Sequence, residues 1–203
     1  MTVDPANAGS ANTGSAYAGS ATTHQSEQPA IVLIGLRGSG KTTLGTLLAA
    51  RLGTRFIDLD NRTIARSGHP SVSAMFRAVG EPAFRAAECA ALQDVLATDA
   101  RHGAVIALGG GTPTAPGARA LLETARANGS IRIVLLEAPP AVLGARLSVA
   151  PGDRPLLMGT NFTEEAALLG ERRLPAYRAL ADSTVTTGGT TAESLDALAA
   201  AAR

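Results

Sequence analysis

The chain has 203 residues, of which 45% are apolar and 17% are charged, and its formal net charge is +1. This length is sufficient for one buried core but short for two ordinary domains, so we expect a single domain with a tail. The near-neutral charge and the 3% of aromatic residues disfavour nucleic acid as a partner, and the single cysteine excludes an internal disulfide, which favours a reducing cytoplasm.

The first thirty residues form a low-complexity segment. They contain no Lys or Arg, and they repeat Gly-Ser-Ala at Gly9, Gly14 and Gly19. Such a segment buries too little apolar surface to offset its chain entropy, so we predict a disordered tail over residues 1–30 and one domain over residues 31–203. No apolar run reaches the ~18 residues of a membrane span, and the N-terminus has no signal-peptide pattern, which predicts no membrane partner.

Short apolar runs alternate with longer amphipathic patterns after the tail. Five of these runs are typical of strands and lie at residues 31–36, 56–60, 103–111, 130–138 and 183–187. Strands that alternate with helices form a parallel sheet with helices on both faces. We therefore predict an α/β fold of three layers, α/β/α, around a five-stranded parallel sheet, with ligands beyond the carboxyl ends of the strands.

Three helix starts have local signals. Ser71 can cap the pattern SVSAMFRAVG, and Pro82 stands where the first turn of a helix tolerates proline. Thr190 and Glu193 have the spacing of a capping box ahead of the last helical pattern. We expect helices to begin at these three points.

A glycine-rich loop follows the first predicted strand. Residues 35–42 read GLRGSGKT and fit the pattern G-x-x-x-x-G-K-[ST] between a strand and an amphipathic helix. Its backbone N–H groups can converge on phosphate oxygens, Lys41 can reach the outer phosphates, and the hydroxyl of Thr42 suits Mg²⁺. A glycine-rich turn with an incidental lysine is the alternative. The predicted nucleotide ligands here are Gly38, Ser39, Gly40, Lys41, Thr42 and Thr43.

Two carboxylates follow in the run FIDLD. Asp58 and Asp60 are two residues apart, so on a predicted strand their side chains point to the same side. Neighbouring carboxylates repel unless a cation or a proton lies between them, which favours a Mg²⁺-linked role for one and hydroxyl binding for the other. Capping of the next helix is the alternative for such a pair.

The run GAVIALGGG ends in three glycines, and we expect its strand to end with them. At Gly109, Gly110 and Gly111 the bare backbone can approach a ligand closely. A plain tight turn would have the same sequence.

Arginines suit the recognition of a small acid, because a guanidinium group forms paired hydrogen bonds with a carboxylate. Arg85 is a candidate, with Glu88 close enough along a helix to orient it. Arg154 lies in a turn-rich stretch that suits a mobile lid. Arg172 and Arg173 precede a proline that interrupts the helical pattern, and we expect one of them to face the site.

The order of these features resembles the shikimate kinase family, which belongs to the P-loop group related to nucleoside monophosphate kinases. The resemblance extends from about residue 31 to the last helical pattern. It rests on GLRGSGKT at 35–42, DLD at 58–60, FR followed by Glu at 84–88, GGGT at 109–112, RPLL at 154–157 and R-x-P-A-Y at 173–177. The loop is common to many enzymes, whereas the later motifs in this order are specific to the family.

This resemblance implies a P-loop kinase fold with a mobile lid and ATP-dependent phosphorylation of the 3-hydroxyl group of shikimate, a step towards the aromatic amino acids. It implies ATP as co-substrate and Mg²⁺ as cofactor. The implied catalytic residues are Lys41, Asp60 and Arg154. The implied nucleotide ligands outside the loop are Arg146, against adenine, and Arg154. The implied metal ligands are Thr42 and Asp58. The implied shikimate ligands are Asp60, Arg85, Gly109, Gly110, Gly111 and Arg173.

Two alternatives stay open from sequence. A kinase for gluconate or a nucleoside monophosphate would need other acceptor residues, and the GGGT and RPLL motifs argue against it. A ligand-sensing regulatory module usually carries a DNA-binding helix pair, for which residues 1–30 show no pattern.

Arg37 inside the loop and a slightly longer lid stretch depart from the family pattern. We expect an enzyme that acts as a monomer.

Overall fold

A computed structural model describes residues 28–152 and 156–203. Nearly all of the predicted tail, and Arg154 within the predicted lid, lie outside the described residues. The strands are β1 (Ala30–Ile34), β2 (Phe56–Asp58), β3 (Val105–Ala107), β4 (Ile131–Glu137) and β5 (Ser183–Thr186). The helices are α1 (Lys41–Leu52), α2 (Leu59–Ser67), α3 (Val72–Thr98), α4 (Pro116–Ala127), α5 (Pro140–Val149), α6 (Phe162–Leu180) and α7 (Thr191–Ala201).

The five strands form one parallel sheet in the order β2-β3-β1-β4-β5, which confirms the predicted sheet. Strand β1 is central, and Val32 pairs with Ile106 on one side and with Ile133 on the other. Because all strands run the same way, their carboxyl ends meet at one edge of the sheet. The loop after β1 therefore lies beside the ends of its neighbours.

Alternation along β1 divides the core between the two faces of the sheet. Val32 and Ile34 pack on the face covered by α3, α4 and α6, together with the buried Tyr177. Ile31 and Leu33 pack on the opposite face, which α1 and α7 cover. Helices thus shield both faces of the sheet from water, as is typical of a parallel sheet. This confirms the predicted three-layer architecture.

The predicted helix starts agree with the structure. The Ser71 hydroxyl accepts a hydrogen bond from the amide of Ala74 at 3.2 Å. Gly80 leaves helical geometry inside α3 with φ 75° and ψ 170°, so Pro82 lies in the first turn of a second helical segment. Thr190 and Glu193 form both bonds of a capping box at the start of α7.

Two sequence-based boundaries were wrong. Strand β3 ends at Ala107, before the three glycines, because the chain turns there into a short 3₁₀ helix over Thr112–Thr114. Pro175 does not interrupt its helix, because α6 continues to Leu180. Buried side chains on both sides of Pro175 hold the helix against the core, which outweighs the lost backbone hydrogen bond.

No helix within residues 28–152 and 156–203 is both long and apolar enough to cross a membrane.

Replacement of Thr190 by alanine is expected to lower the free energy of unfolding by about 1 kcal/mol, because the Thr190 hydroxyl accepts the Glu193 amide at 3.2 Å. Urea unfolding followed by circular dichroism measures this change. Thr124→Ala removes an exposed threonine from the middle of α4 and is the matched control, with no loss expected. Equal losses in both variants would contradict the role of the cap.

Candidate active site

The loop over residues 35–40 connects the central strand β1 to α1. Gly38 and Gly40 have φ angles of 75° and 91°, which favour glycine because other residues are strained there. The loop lines a cavity of about 910 Å³ beyond the carboxyl ends of the strands. All six residues predicted to bind the nucleotide phosphates, Gly38, Ser39, Gly40, Lys41, Thr42 and Thr43, line this cavity.

Lys41 is the first residue of α1 and lies over the loop. Its ammonium group donates hydrogen bonds to the carbonyl oxygens of Gly35, at 2.8 Å, and Leu36, at 2.9 Å. The positive end of the α1 dipole points into the same space. A cation and the N-terminus of a helix therefore favour an anion at the floor of this cavity.

The first carboxylate of the predicted pair connects this loop to α2. Asp58 Oδ2 accepts a hydrogen bond from the Thr42 hydroxyl at 3.1 Å, and its Oδ1 accepts from the amides of Asp60, at 3.0 Å, and Asn61, at 3.3 Å. The prediction that both aspartates lie on one strand was wrong, because Asp58 caps α2 and Asp60 belongs to that helix. Both still line the large cavity.

Gly109 lies against two carboxylates. A Cβ atom at this position would be 2.5 Å from Glu88 Oε1 and 2.7 Å from Asp60 Oδ1. The bare backbone of glycine leaves room for both carboxylates, which a side chain here would have to displace. Gly109 is therefore favoured by its surroundings and is more than part of a tight turn.

Arg85 is fixed by glutamates of the same helix. Its Nη1 donates to Glu88 Oε2 at 2.7 Å, and its Nη2 donates to the exposed Glu81 at 3.3 Å. Glu88 is buried and also accepts a hydrogen bond from the Thr112 hydroxyl. Burial lowers the pKa of Arg85, but the glutamates outweigh burial and hold that pKa above its ordinary value. The expected orientation of Arg85 by Glu88 is thus present.

The rings of Phe76 and Phe84 lie next to the same arginine. Their centroids lie 5.9 Å and 5.5 Å from Arg85 Cζ, within the range of cation–π contacts. The two rings also pack against each other at 4.7 Å. The aromatic pair thus adds favourable contacts to the guanidinium beside the two glutamates.

Arg173, and not its neighbour Arg172, points into the site. Arg173 Nη1 donates to the carbonyl oxygen of Gly110 at 2.9 Å, whereas Arg172 is exposed. The buried Tyr177 hydroxyl donates to the same carbonyl. Burial raises the pKa of Tyr177 above its ordinary value, and the charge of Arg173 opposes this only in part, so the hydroxyl keeps its proton.

Arg85, Gly111 and Arg173 line a second cavity of about 410 Å³. A Cβ atom at Gly111 would lie 2.6 Å from Arg85 Cζ, so the guanidinium rests directly on the backbone. The structure thus divides the predicted acceptor residues between two adjoining spaces. Asp60, Gly109 and Gly110 face the loop cavity, and the run of three glycines borders both spaces.

Arg146 crosses from α5 to the loop cavity. Its Nη1 donates to the Gly38 carbonyl at 3.1 Å, and its Nη2 donates to the Thr187 carbonyl. The Thr187 hydroxyl donates to the Ser39 carbonyl at 3.0 Å. Neither Thr187 nor Tyr177 was predicted to have a role in the site. The position of Thr187 just after β5 is a signal that could have found it, because ligands of parallel sheets lie beyond strand ends.

This sheet and this loop define the class of the protein. A central parallel strand leads through a glycine loop into a helix, and a lysine and a threonine at the start of that helix face a carboxylate at the end of another strand. These features make the chain a P-loop phosphotransferase. Residues 37–202 match the shikimate kinase family, and the chain belongs to that family.

Individual relatives agree with this assignment. Shikimate kinase from Thermobifida fusca is 41% identical over 169 residues, which cover 83% of this chain and 91% of the relative. Shikimate kinase from Saccharopolyspora erythraea is 38% identical over 82% of this chain and 89% of the relative. The solved shikimate kinase from Acinetobacter baumannii in complex with shikimate is 32% identical with a TM-score of 0.72, covering 83% of this chain and 88% of that chain.

A gluconokinase from Sinorhizobium meliloti has a similar fold but little sequence in common. Its TM-score is 0.52 at 20% identity, with 87% of this chain and 92% of that chain covered. This likeness concerns the fold alone.

Glu88→Gln is expected to lower the free energy of unfolding by about 3 kcal/mol, because it leaves the partly buried Arg85 without its closest counter-charge. Glu81→Gln is the matched control, since it neutralises a 63% exposed carboxylate on the same guanidinium and should change stability by less than about 1 kcal/mol. Urea unfolding of both variants measures the difference. Similar losses for the two glutamates would show that burial of Glu88 is unimportant.

Proposed function

We infer that the chain transfers the γ-phosphoryl group of ATP to the 3-hydroxyl group of shikimate, giving shikimate 3-phosphate and ADP. Membership of the shikimate kinase family carries this inference. The site supports it, because a phosphate-binding loop and a pair of arginines lie on either side of one glycine run. The reaction belongs to the biosynthesis of aromatic amino acids.

The loop cavity is the proposed ATP site. Backbone N–H groups of the loop would bind the phosphate oxygens, and Lys41 would exchange its carbonyl partners for the outer phosphates. The Arg146 guanidinium already contacts the loop at the Gly38 carbonyl, and this planar group can lie against adenine. Phosphoryl transfer needs mainly positioning and charge stabilisation, and this cavity provides both.

The residues beside the loop fit a magnesium ion. Thr42 Oγ1 and Asp58 Oδ2 lie 3.1 Å apart, and hard oxygen atoms are the ligands that Mg²⁺ prefers. Mg²⁺ bound beside substrate phosphates usually takes one or two protein ligands and keeps several waters. We propose that Thr42 and Asp58 hold Mg²⁺, which neutralises phosphate charge when bound.

Asp60 is the proposed partner of the acceptor hydroxyl. It lines the cavity with Lys41 and reaches the glycine run, so a hydroxyl group bound to it would face the terminal phosphate. A carboxylate in this position can accept the proton of the attacking hydroxyl as the new bond forms. We assign this role to Asp60.

Arg85 and Arg173 are the proposed clamp for the shikimate carboxylate. Both line the smaller cavity, Arg85 through a guanidinium held by Glu88 and Arg173 through a bond to Gly110. Two fixed guanidinium groups supply paired hydrogen bonds at little entropic cost. The backbone from Gly109 to Gly111 would complete the pocket between clamp and hydroxyl site.

Further proposals rest on the sequence. By the family resemblance, Arg154 would stabilise charge on the transferring phosphoryl group. We propose a monomer as the active unit. The single cysteine supports a reducing compartment, the cytoplasm.

A coupled assay for ADP release tests the function directly. ATP and Mg²⁺ are offered with shikimate, gluconate or a nucleoside monophosphate in separate reactions. We expect ADP release with shikimate alone, and its loss when a chelator removes the divalent ion. Turnover of gluconate or the monophosphate at a rate like that of shikimate would overturn the assignment.

Arg173→Ala is expected to raise KM for shikimate at least about thirtyfold, near 2 kcal/mol, because the substrate carboxylate loses one desolvated partner. KM for ATP should stay within about twofold. The neighbouring exposed arginine supplies the matched control, since Arg172→Ala removes the same charge without reaching the site. If KM for ATP rises instead, or if KM for shikimate rises equally in both variants, Arg173 does not bind the shikimate carboxylate.

A further inference from the structure

Arg37, at the third position of the phosphate loop, extends away from the cavity floor towards the connection between α5 and α6. Its Nη2 donates to the carbonyl oxygen of Pro151 at 2.8 Å, just beyond the end of α5. Its Nη1 donates to Glu165 Oε2 at 3.4 Å. The guanidinium also lies 5.8 Å from the ring centroid of Phe162. The side chain is only 14% exposed although it belongs to a loop.

Glu165 lies in the first turn of α6 and is 1% exposed. Its second oxygen, Oε1, accepts a hydrogen bond from the amide of Leu157 at 2.6 Å. One carboxylate thus joins the guanidinium of the loop to the chain that enters α6. Pro151 and Leu157 both belong to the connection between α5 and α6, so Arg37 and Glu165 together fasten this connection to the phosphate loop at two points.

We propose that Arg37 and Glu165 are a positioning pair that sets the affinity of the enzyme for nucleotide. The inference rests on the proposed function only in taking the loop cavity as the nucleotide site. That cavity has the phosphate loop as one wall and residues 149–152 as another. Arg37 joins these two walls through its bond to the Pro151 carbonyl, and Glu165 holds the guanidinium that makes this bond, so the pair sets the width of the space that a nucleotide enters.

Burial makes this pair sensitive to the loss of either member. Glu165 is removed from water, so its charge depends on Arg37 and on the Leu157 amide. The guanidinium has donors in a rigid fork and bonds Pro151 and Glu165 at once, whereas the single ammonium of a lysine lacks that geometry. When both walls of the cavity are fixed before binding, less conformational entropy is lost as the nucleotide binds.

The acceptor side is separate from this pair. Arg85 and Arg173 line the smaller cavity, whereas Arg37 lines the larger one. Disruption of the pair should therefore act on nucleotide binding and leave shikimate binding unchanged. A merely structural role would weaken both ligands together.

Calorimetric titration with ADP tests the proposal on Arg37→Gln, Glu165→Gln and the double variant. Glutamine at 165 can still accept the Leu157 amide, so the change isolates the ion pair. We expect each single variant to bind ADP about tenfold more weakly, with KM for ATP following. The double variant should bind no more weakly than the singles, and KM for shikimate should stay within about twofold. Arg119→Gln is the matched control, because Arg119 forms an exposed pair with Glu123 on α4 and should bind ADP normally.

Two results would overturn the proposal. One is an ADP affinity in Arg37→Gln equal to that of the wild type, and the other is losses that multiply in the double variant. If Glu165→Gln does not fold, Arg37→Lys is tested in its place. Lysine keeps the positive charge, so Arg37→Lys should bind ADP more tightly than Arg37→Gln. Equal ADP affinities of these two variants would reject the pair. Wild-type protein that binds ADP but does not phosphorylate shikimate would refute the proposed function and leave this test intact.

Discussion

The close approach of backbone and charge at Gly109–Gly111 is the constraint on which the site depends. Glu88 and Asp60 occupy the space of a side chain at Gly109, and the Arg85 guanidinium occupies that space at Gly111. Any Cβ atom in these places would push a charged group out of position. Gly109 and Gly111 thus bring the chain after β3 into contact with α2 and α3, and the glycine run lets two cavities of different chemistry share one wall.

Charge balance around Glu88 follows from this arrangement. The carboxylate is buried, yet it accepts hydrogen bonds from Arg85 and Thr112, so its charge is compensated from two elements. Arg85 keeps its charge, since the pull of the glutamates exceeds the effect of burial on its pKa. Because a buried charge without partners is costly, each member of this network holds the others, and the arginine is oriented before any ligand arrives.

Local patterns made much of the molecule predictable. The phosphate loop, the five strands and the helix starts depend on neighbours in sequence, and the structure agrees with them. Asp60 was wrongly predicted to lie on a strand, because the pattern FIDLD suits one. In the structure Asp58 caps α2, so the helix begins one residue before Asp60. The contacts of Thr187 with Ser39 and of Tyr177 with Gly110 join residues 148 and 67 positions apart, which no local pattern encodes. The partners of Arg37, Pro151 and Glu165, are also distant in sequence, so no local pattern predicts them.

The two bonds that Lys41 forms with its own loop bear on which anions can enter. The ammonium is already satisfied by the carbonyls of Gly35 and Leu36, so a ligand must replace acceptors that are in place. A lone small anion offers little beyond what it displaces, whereas a polyphosphate meets the amides, the helix terminus and the ammonium together. The carbonyl oxygens of the loop thus compete with any anion for the ammonium group, which favours a ligand with several phosphates over inorganic phosphate.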